Sequence, residues 1–176
     1  PKGVDGIKEG IFSGKDVSGN SIGTSDDTLQ SIKMEGVSNV PAYAFYGCKG
    51  LQSVAMYASD EENGDYVGNY AFGDCDELTN VSMSANVRQF GLRPFKECEK
   101  LTDVSFNDSP YFVCDKGIIY GLRDGKKVSI VECLETRGST GEYTVGASMV
   151  AKSELEDVET IQDEAFKGCL GIGDVN

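Results

Sequence analysis

The sequence predicts a mainly β protein with short helical turns, in which successive segments stack as a solenoid. Three observations favour this class. The chain repeats itself, each repeat carries one short run of alternating apolar residues, and the two shortest spacings between repeats are 27 and 23 residues. A segment of that length cannot bury its own apolar side, so neighbouring repeats must stack to build a common core.

The repeats are recognisable from a shared order of residues: an aliphatic or aromatic residue, then Phe, Cys, Leu or Ile, and Val at fixed offsets. Three copies have Ala before Phe and read VPAYAFYGCKGLQSV, VGNYAFGDCDELTNV and IQDEAFKGCLGIGDV. A fourth, FGLRPFKECEKLTDV, has Pro94 in the place of that Ala. These four copies begin at Val40, Val67, Ile161 and Phe90.

A weaker fifth copy lies near the start of the chain. It aligns Phe12 with the repeated phenylalanines, has Lys15 in the position of the cysteine, and resumes the pattern at Leu29 and Ile32 after an insertion. Because the chain begins without Met and ends just after Val175, where a strand is expected, we expect it to be a segment of a longer protein. The prediction is a single array over residues 1–176, with repeats near 7–34, 37–57, 64–84, 87–107 and 158–176 and an irregular, hairpin-containing insert at 108–157.

Each repeat is expected to contribute one strand and one helical turn. Val54 and Met56 are two apart and fall on one face of a strand, whereas Phe45 and Cys48 are three apart, so one helical turn would direct both into the core. The residues between the buried strand positions are small or polar and are expected to face solvent as the candidate binding face. They are Ser53, Ala55, Tyr57, Asn80, Ser82, Ser84, Asp103, Ser105 and Asn107.

Composition excludes several functional classes. Sixteen Lys and Arg against 29 Asp and Glu give a net charge of -13, which repels nucleic-acid phosphates and argues against a nucleic-acid partner. No stretch approaches the roughly 18 apolar residues of a membrane span, so no membrane insertion is expected. The chain has no histidine, which removes Ser-His-Asp and Cys-His nucleophiles and histidine-containing metal sites. We therefore predict no enzyme activity, no catalytic residue, no cofactor and no metal.

The repeat, with Phe, Cys, Leu or Ile, and Val in register, resembles the BspA-like class of leucine-rich repeats. The four sets are Phe45, Cys48, Leu51, Val54; Phe72, Cys75, Leu78, Val81; Phe95, Cys98, Leu101, Val104; and Phe166, Cys169, Ile172, Val175. The segment SPYFVCDKGIIYGLRDGKKVSIV is similar to a sub-motif of that class, and Asp124-Gly125 between apolar runs is itself a hairpin signal. The resemblance implies a right-handed solenoid with a parallel sheet on one face, in a secreted or cell-surface protein.

The cysteines allow two interpretations. Cys48, Cys75 and Cys98 are expected to stack on successive turns as small buried groups, with free thiols. Cys114 and Cys133 flank the hairpin, and a disulfide between them is the one bridge that we consider. Counting outward from Asp124-Gly125 places Cys133 opposite Lys116, two residues from Cys114, which argues against that bridge.

The acidic run at 60–65 suggests calcium, but an EF-hand loop needs Asp or Asn where Gly64 stands and Glu where Ala71 stands, so a solvated loop is the better interpretation. The primary functional hypothesis is a non-enzymatic surface module for adhesion, with a protein or glycan on a host or neighbouring cell as partner. A structural spacer or stalk is the alternative. A carbohydrate-active enzyme is a third hypothesis, although no carboxylate pair stands out.

Overall fold

The computed structural model describes residues 7, 10–16, 18–57, 62–134, 136–137, 143–144 and 156–167. Within these residues the chain is mainly β, with strands joined by turns and no helix. The last part of the final repeat, including Cys169, Ile172 and Val175, lies outside the described residues. The strands are β1 Ser31–Met34, β2 Asn39–Val40, β3 Ser53–Met56, β4 Asp65–Val67, β5 Asn80–Ser82, β6 Val87–Phe90, β7 Phe112–Asp115, β8 Ile118–Arg123, β9 Lys126–Cys133, β10 Thr136–Arg137, β11 Tyr143–Thr144 and β12 Thr160–Ile161.

Two parallel three-stranded sheets run through the repeats. The first has the order β1-β3-β5 and the second has the order β2-β4-β6. In the first sheet Ile32 pairs with Val54, which in turn pairs with Val81, so equivalent positions of successive repeats lie side by side. The predicted parallel sheet is therefore present, and the weak first copy enters it in the predicted register.

The core between these sheets is organised around a row of stacked phenylalanines. The ring centroids of Phe12 and Phe45 are 5.1 Å apart, those of Phe45 and Phe72 are 5.2 Å apart, and those of Phe72 and Phe95 are 5.7 Å apart. The three interplanar angles are 15°, 1° and 10°. Isolated aromatic pairs also adopt edge-to-face geometries, and the near-parallel stacking here follows from the repeated backbone path.

The segment around each of these phenylalanines is a pair of tight turns instead of the expected helical turn. Two residues before Phe the backbone is left-handed at Tyr43, Tyr70 and Arg93, with φ values of 57°, 52° and 39°. Two residues after Phe it is left-handed again, as at Asp74 with φ 57°. A right-handed helix cannot contain such residues. Phe and Cys still face the core together, as expected, because the turns bring them to the same side.

Hydrogen bonds between turns form a third ladder along the stack. The amide of Phe45 donates to the carbonyl of Ala71 at 2.8 Å, and the amide of Phe72 donates to the carbonyl of Pro94 at 2.9 Å. The amide of Tyr43 donates in the same way to the carbonyl of Asn69 at 2.9 Å. The second and third repeats therefore each contact their successor through main-chain groups at both their strands and their turns.

The insert contains the predicted hairpin. Strands β8 and β9 are antiparallel across Asp124-Gly125, whose φ values of 53° and 76° suit a two-residue hairpin turn. Strand β7 pairs antiparallel with β8, and β12 pairs parallel with β9, which gives a sheet of order β12-β9-β8-β7. A separate antiparallel pair is formed by β10 and β11.

Candidate binding surface

The outward face is the solvent side of the β1-β3-β5 sheet, and most of the predicted residues lie on it in rows. Ser53 pairs with Asn80, Ala55 pairs with Ser82, and an isolated parallel bridge joins Ser82 to Ser105. Lys33, opposite Ala55 in β1, extends the same row. Because the strands are parallel and in register, side chains from distant positions form one continuous surface.

Exposure separates these residues into three groups. Tyr57 is 49% exposed, and Asn80, Asp103, Ser105 and Asn107 are also exposed. Ser53, Ala55 and Ser82 are half-buried. Ser84, however, is 2% exposed, so the expectation that it faces solvent is wrong. The chain turns at this point, and the Ser84 hydroxyl accepts a hydrogen bond from the amide of Asn86 at 3.0 Å inside that turn.

An open cleft of about 510 Å³, here called the end cleft, lies where the outward face meets the hairpin sheet. The volume is within the range of small-ligand sites, roughly 300–1,000 Å³. The repeat side and the hairpin side each contribute polar and apolar groups. The end cleft is lined by Asp103, Ser105, Asn107 and Asp108 from the fourth repeat and by Val113, Cys114 and Leu122 from β7 and β8, among others.

Hydrogen bonds fix the orientation of Asn107 in the end cleft. Its amide nitrogen donates to the Ser82 hydroxyl at 2.9 Å and to the Met83 carbonyl at 3.0 Å. Both amide hydrogens are therefore engaged within the sheet. The Ser105 hydroxyl donates to the Asn107 amide oxygen at the long distance of 3.5 Å, so that oxygen retains capacity to accept another hydrogen bond.

The thiol of Cys114 stays protonated in the end cleft. Burial raises its pKa to about 12, and the nearby carboxylate of Asp103 adds to the rise because a thiolate would meet a second negative charge. At neutral pH the cleft therefore holds a neutral thiol beside an exposed carboxylate. Its anionic character comes from Asp103 and Asp108.

Comparison with protein families identifies the repeats. Residues 23–115, more than half of the chain, match the family described as the BspA type leucine-rich repeat region (6 copies). The chain belongs to the BspA-type leucine-rich repeat family. This family is generally non-enzymatic and typical of bacterial cell surfaces, and it indicates a repeat module for protein interaction. The comparisons with curated proteins and with solved structures gave no match.

The structure shows why cysteine suits its place in this BspA-type repeat. Cys48, Cys75 and Cys98 are 0%, 0% and 2% exposed, which confirms their predicted burial. Each thiol donates a hydrogen bond to the carbonyl of the phenylalanine in the preceding repeat. The sulfur–oxygen distances are 3.4 Å to Phe12, 3.3 Å to Phe45 and 3.0 Å to Phe72. Cysteine is small enough for the core and supplies a donor that alanine lacks.

The flanking cysteines of the hairpin do not form the disulfide that we considered, and the three repeat cysteines above are free thiols as expected. Cys114 lies in β7 and Cys133 lies in β9, with β8 between them. The predicted opposition of Cys133 to Lys116 is wrong, because two register shifts in the hairpin place Cys133 opposite Ile118. Such bulges add residues to one strand without a sequence signal as clear as the turn itself.

The junction between the BspA-type repeats and the hairpin sheet depends on side chains that the sequence analysis missed. Where another repeat would supply a carbonyl, the amide of Phe95 donates to the Glu132 carboxyl group at 3.0 Å. The carbonyl of Phe90 accepts from the Gln162 side-chain amide at 3.4 Å. Arg93 donates to the carbonyl of Lys167 at 2.8 Å. These three side chains replace the main-chain ladder at its end.

Glu132 and Arg93 are both 1% exposed. Burial raises the pKa of Glu132 to about 8, against the opposing effects of the Phe95 amide and the positive charge of Arg93. A single carboxylate within the apolar run of β9 was the available sequence signal. Its significance is clear only once the chain is folded, since Phe95 is 37 residues away.

The acidic run at 60–65 and possible metal-binding groups were the other candidate sites. The acidic run begins in residues outside the described part of the chain, and at its other end Asp65 is buried as the first residue of β4, so it is not part of a solvated loop. Across the described ranges, no three or more His, Cys, Asp or Glu residues are grouped so that they could hold a metal ion. The same ranges contain no helix with the length and apolar character of a membrane span.

Proposed function

We propose that the chain is a non-enzymatic module of a secreted or cell-surface protein, which contacts a protein or glycan partner in adhesion through its outward face. The observation that carries this proposal is the register of β1, β3 and β5. It aligns short polar side chains from successive repeats into one surface beside the exposed ring of Tyr57. Extended surfaces of this kind are how stacked repeats bind partners, and tyrosine is a frequent anchor at interfaces.

We also propose that residues 1–176 are one array that continues as a right-handed solenoid on both sides of the hairpin. The hydrogen bonds from β9 to the last described segment support this proposal. The amide of Cys133 donates to the carbonyl of Ala165 at 2.8 Å, as the amide of Phe45 does to that of Ala71. Strand β9 therefore takes the place of a repeat between the fourth copy and the segment at 158–167.

The test is binding of the purified chain to cells and to immobilised matrix proteins and glycans. Tyr57→Ala and Asp103→Lys should each reduce binding at least about tenfold if the outward face makes the contact. Asp27→Lys is the matched control, because Asp27 is an exposed acid in the turn before β1 and lies off that face. Full binding by both variants would contradict the outward face as the contact, and no binding by the unmodified chain would favour the spacer. Hydrolysis of a glycan panel would instead revive the enzyme hypothesis.

A further inference from the structure

The end cleft differs from the rest of the outward face because it has walls. The fourth repeat supplies Asp103, Ser105 and Asn107 as one side, and the hairpin sheet supplies Val113 and Leu122 as the other. We propose that the end cleft binds a single cationic side chain, lysine or arginine, from an exposed segment of a protein partner. This inference rests on the proposed function and specifies the partner's chemistry.

The hydrogen-bonding groups of the end cleft are mostly acceptors. Asp103 and Asp108 contribute carboxylates, and both amide hydrogens of Asn107 are engaged within the sheet, so its oxygen is the group left to a ligand. Among the described residues that line the end cleft, none is basic. Ammonium and guanidinium groups only donate hydrogen bonds, so they match this lining in both charge and donor pattern.

The hairpin wall matches the remainder of such a side chain. Val113 and Leu122 are half-buried and both line the end cleft, and Val113 also packs against the buried cluster that contains Tyr120. Lysine and arginine have apolar stems that pack on such apolar side chains while the charged end reaches polar groups. A neutral glycan has more acceptor sites than donors and carries no charge, so the end cleft favours a basic protein segment over a neutral sugar.

The experiment titrates the isotope-labelled 176-residue chain with N-acetyl-arginine methylamide and follows backbone amide shifts by NMR. The citrulline analogue, which has the same shape without the charge, is the matched probe. We expect the arginine probe to shift amides at 103–108 and 113–114 and the citrulline probe to leave them in place. The double variant Asp103→Asn, Asp108→Asn should weaken binding of the arginine probe at least about fivefold, whereas Asp27→Asn should not. Added salt should weaken it too.

The outcomes separate this inference from the proposed function. Equal shifts with citrulline, or unchanged binding in the double variant, would overturn the cationic site even if Tyr57→Ala abolishes partner binding. Arginine-specific binding in the end cleft would support the site even if the chain fails to bind cells, matrix or glycans, in which case the proposed adhesive function fails. Asparagine at positions 103 and 108 keeps the side-chain shape and suits the left-handed backbone of Asp108, with φ 61°, so folding is preserved.

Discussion

The regular stack over residues 37–106 and the junction with the hairpin sheet differ in how the main-chain amides of a turn find hydrogen-bond acceptors. In the stack, the turn of one repeat donates main-chain hydrogen bonds to the turn of the next, as Phe72 does to Pro94. At the junction no main-chain carbonyl takes that role, and Phe95 donates to the side chain of Glu132 instead. The stack therefore depends on shape and spacing, whereas the junction depends on particular side chains, of which Glu132 and Arg93 are buried and ionisable.

The difference shows where the molecule is sensitive to solution conditions. Main-chain hydrogen bonds and buried phenylalanines do not titrate, so these contacts of the stack should be insensitive to pH. The junction contains Glu132, whose pKa is raised by burial, and the buried charge of Arg93. Substitutions in the stack and in the junction therefore allow the stability of the two regions to be compared directly.

The largest effect is expected for Phe72→Ala. Phe72 is 0% exposed and lies between Phe45 and Phe95 in the row of rings. Removing the ring leaves a cavity between Phe45 and Phe95 and should lower the free energy of unfolding by about 3–5 kcal/mol. Urea denaturation measures this loss, and Tyr57→Ala is the exposed aromatic control. A loss below about 1 kcal/mol would contradict the central role of the phenylalanine row.

The second effect is a pH dependence that belongs to the junction. Because folding raises the pKa of Glu132 from 4.5 to about 8, the folded state binds this proton more tightly than the unfolded state. The stability that this group contributes is fully present below about pH 4.5 and is lost as pH rises through about 8. At about 1.4 kcal/mol per pKa unit, the full loss should be roughly 5 kcal/mol.

Glu132→Gln isolates this contribution because it keeps an acceptor for the Phe95 amide and cannot ionise. The measurement is the difference in unfolding free energy between wild type and variant from pH 5 to 9, in which the effects of all other groups cancel. Wild type should lose stability relative to the variant as pH rises. A constant difference would show that Glu132 does not titrate in this range.

A smaller effect is expected within the stack for Cys75→Ala. The thiol of Cys75 donates to the carbonyl of Phe45, which also accepts from the amide of Cys48 at 3.2 Å. Alanine removes one of these two donors and some volume, at a cost of about 1–2 kcal/mol. Cys75→Ser restores a donor and should recover part of the stability in thermal unfolding. If serine is no better than alanine, the thiol serves only to fill space.

The smallest effect is expected for the ion pairs between turns. Lys49 contacts Asp74 and Asp76 at 3.0 Å each, but these side chains are largely solvent-exposed. Exposed pairs of this kind contribute about 0–1 kcal/mol. Lys49→Met should therefore change the unfolding free energy by less than about 1 kcal/mol, and raising the salt concentration should shrink the difference further. A loss of unfolding free energy as large as that of Phe72→Ala would contradict the minor role assigned to these ion pairs.

The sequence was sufficient for the features that repeat. The spacing of Phe12, Phe45, Phe72 and Phe95 predicted their alignment, and the alternation around Val54 predicted the parallel sheet. The left-handed turns were missed because tyrosine and arginine occupy positions where glycine would have been the signal, as at Tyr70 and Arg93. In the stack, main-chain hydrogen bonds between turns hold these positions, as the bond from the amide of Tyr70 to the carbonyl of Leu92 does at 2.9 Å.

The candidate face was only partly predictable for the same reason. Alternation placed most of its residues correctly, but it could not show that the chain turns at Ser84 and buries that side chain. The end cleft depends on where the hairpin sheet lies relative to Asp103. The junction depends on the contact of Glu132 with Phe95, which is 37 residues away in sequence. Neither belongs to the repeating pattern, so neither could be read from it.

The direction of the thiol contacts has a consequence for how such a protein can change length. Cys48, Cys75 and Cys98 each donate to the unit before their own. A duplicated unit placed among these regular coils would therefore bring a donor for its predecessor and present an acceptor to its follower. Duplication of a repeat inside the stack therefore leaves these hydrogen bonds satisfied. The boundary with the hairpin allows no such copying, because its partners are particular side chains that a duplicated coil would not carry.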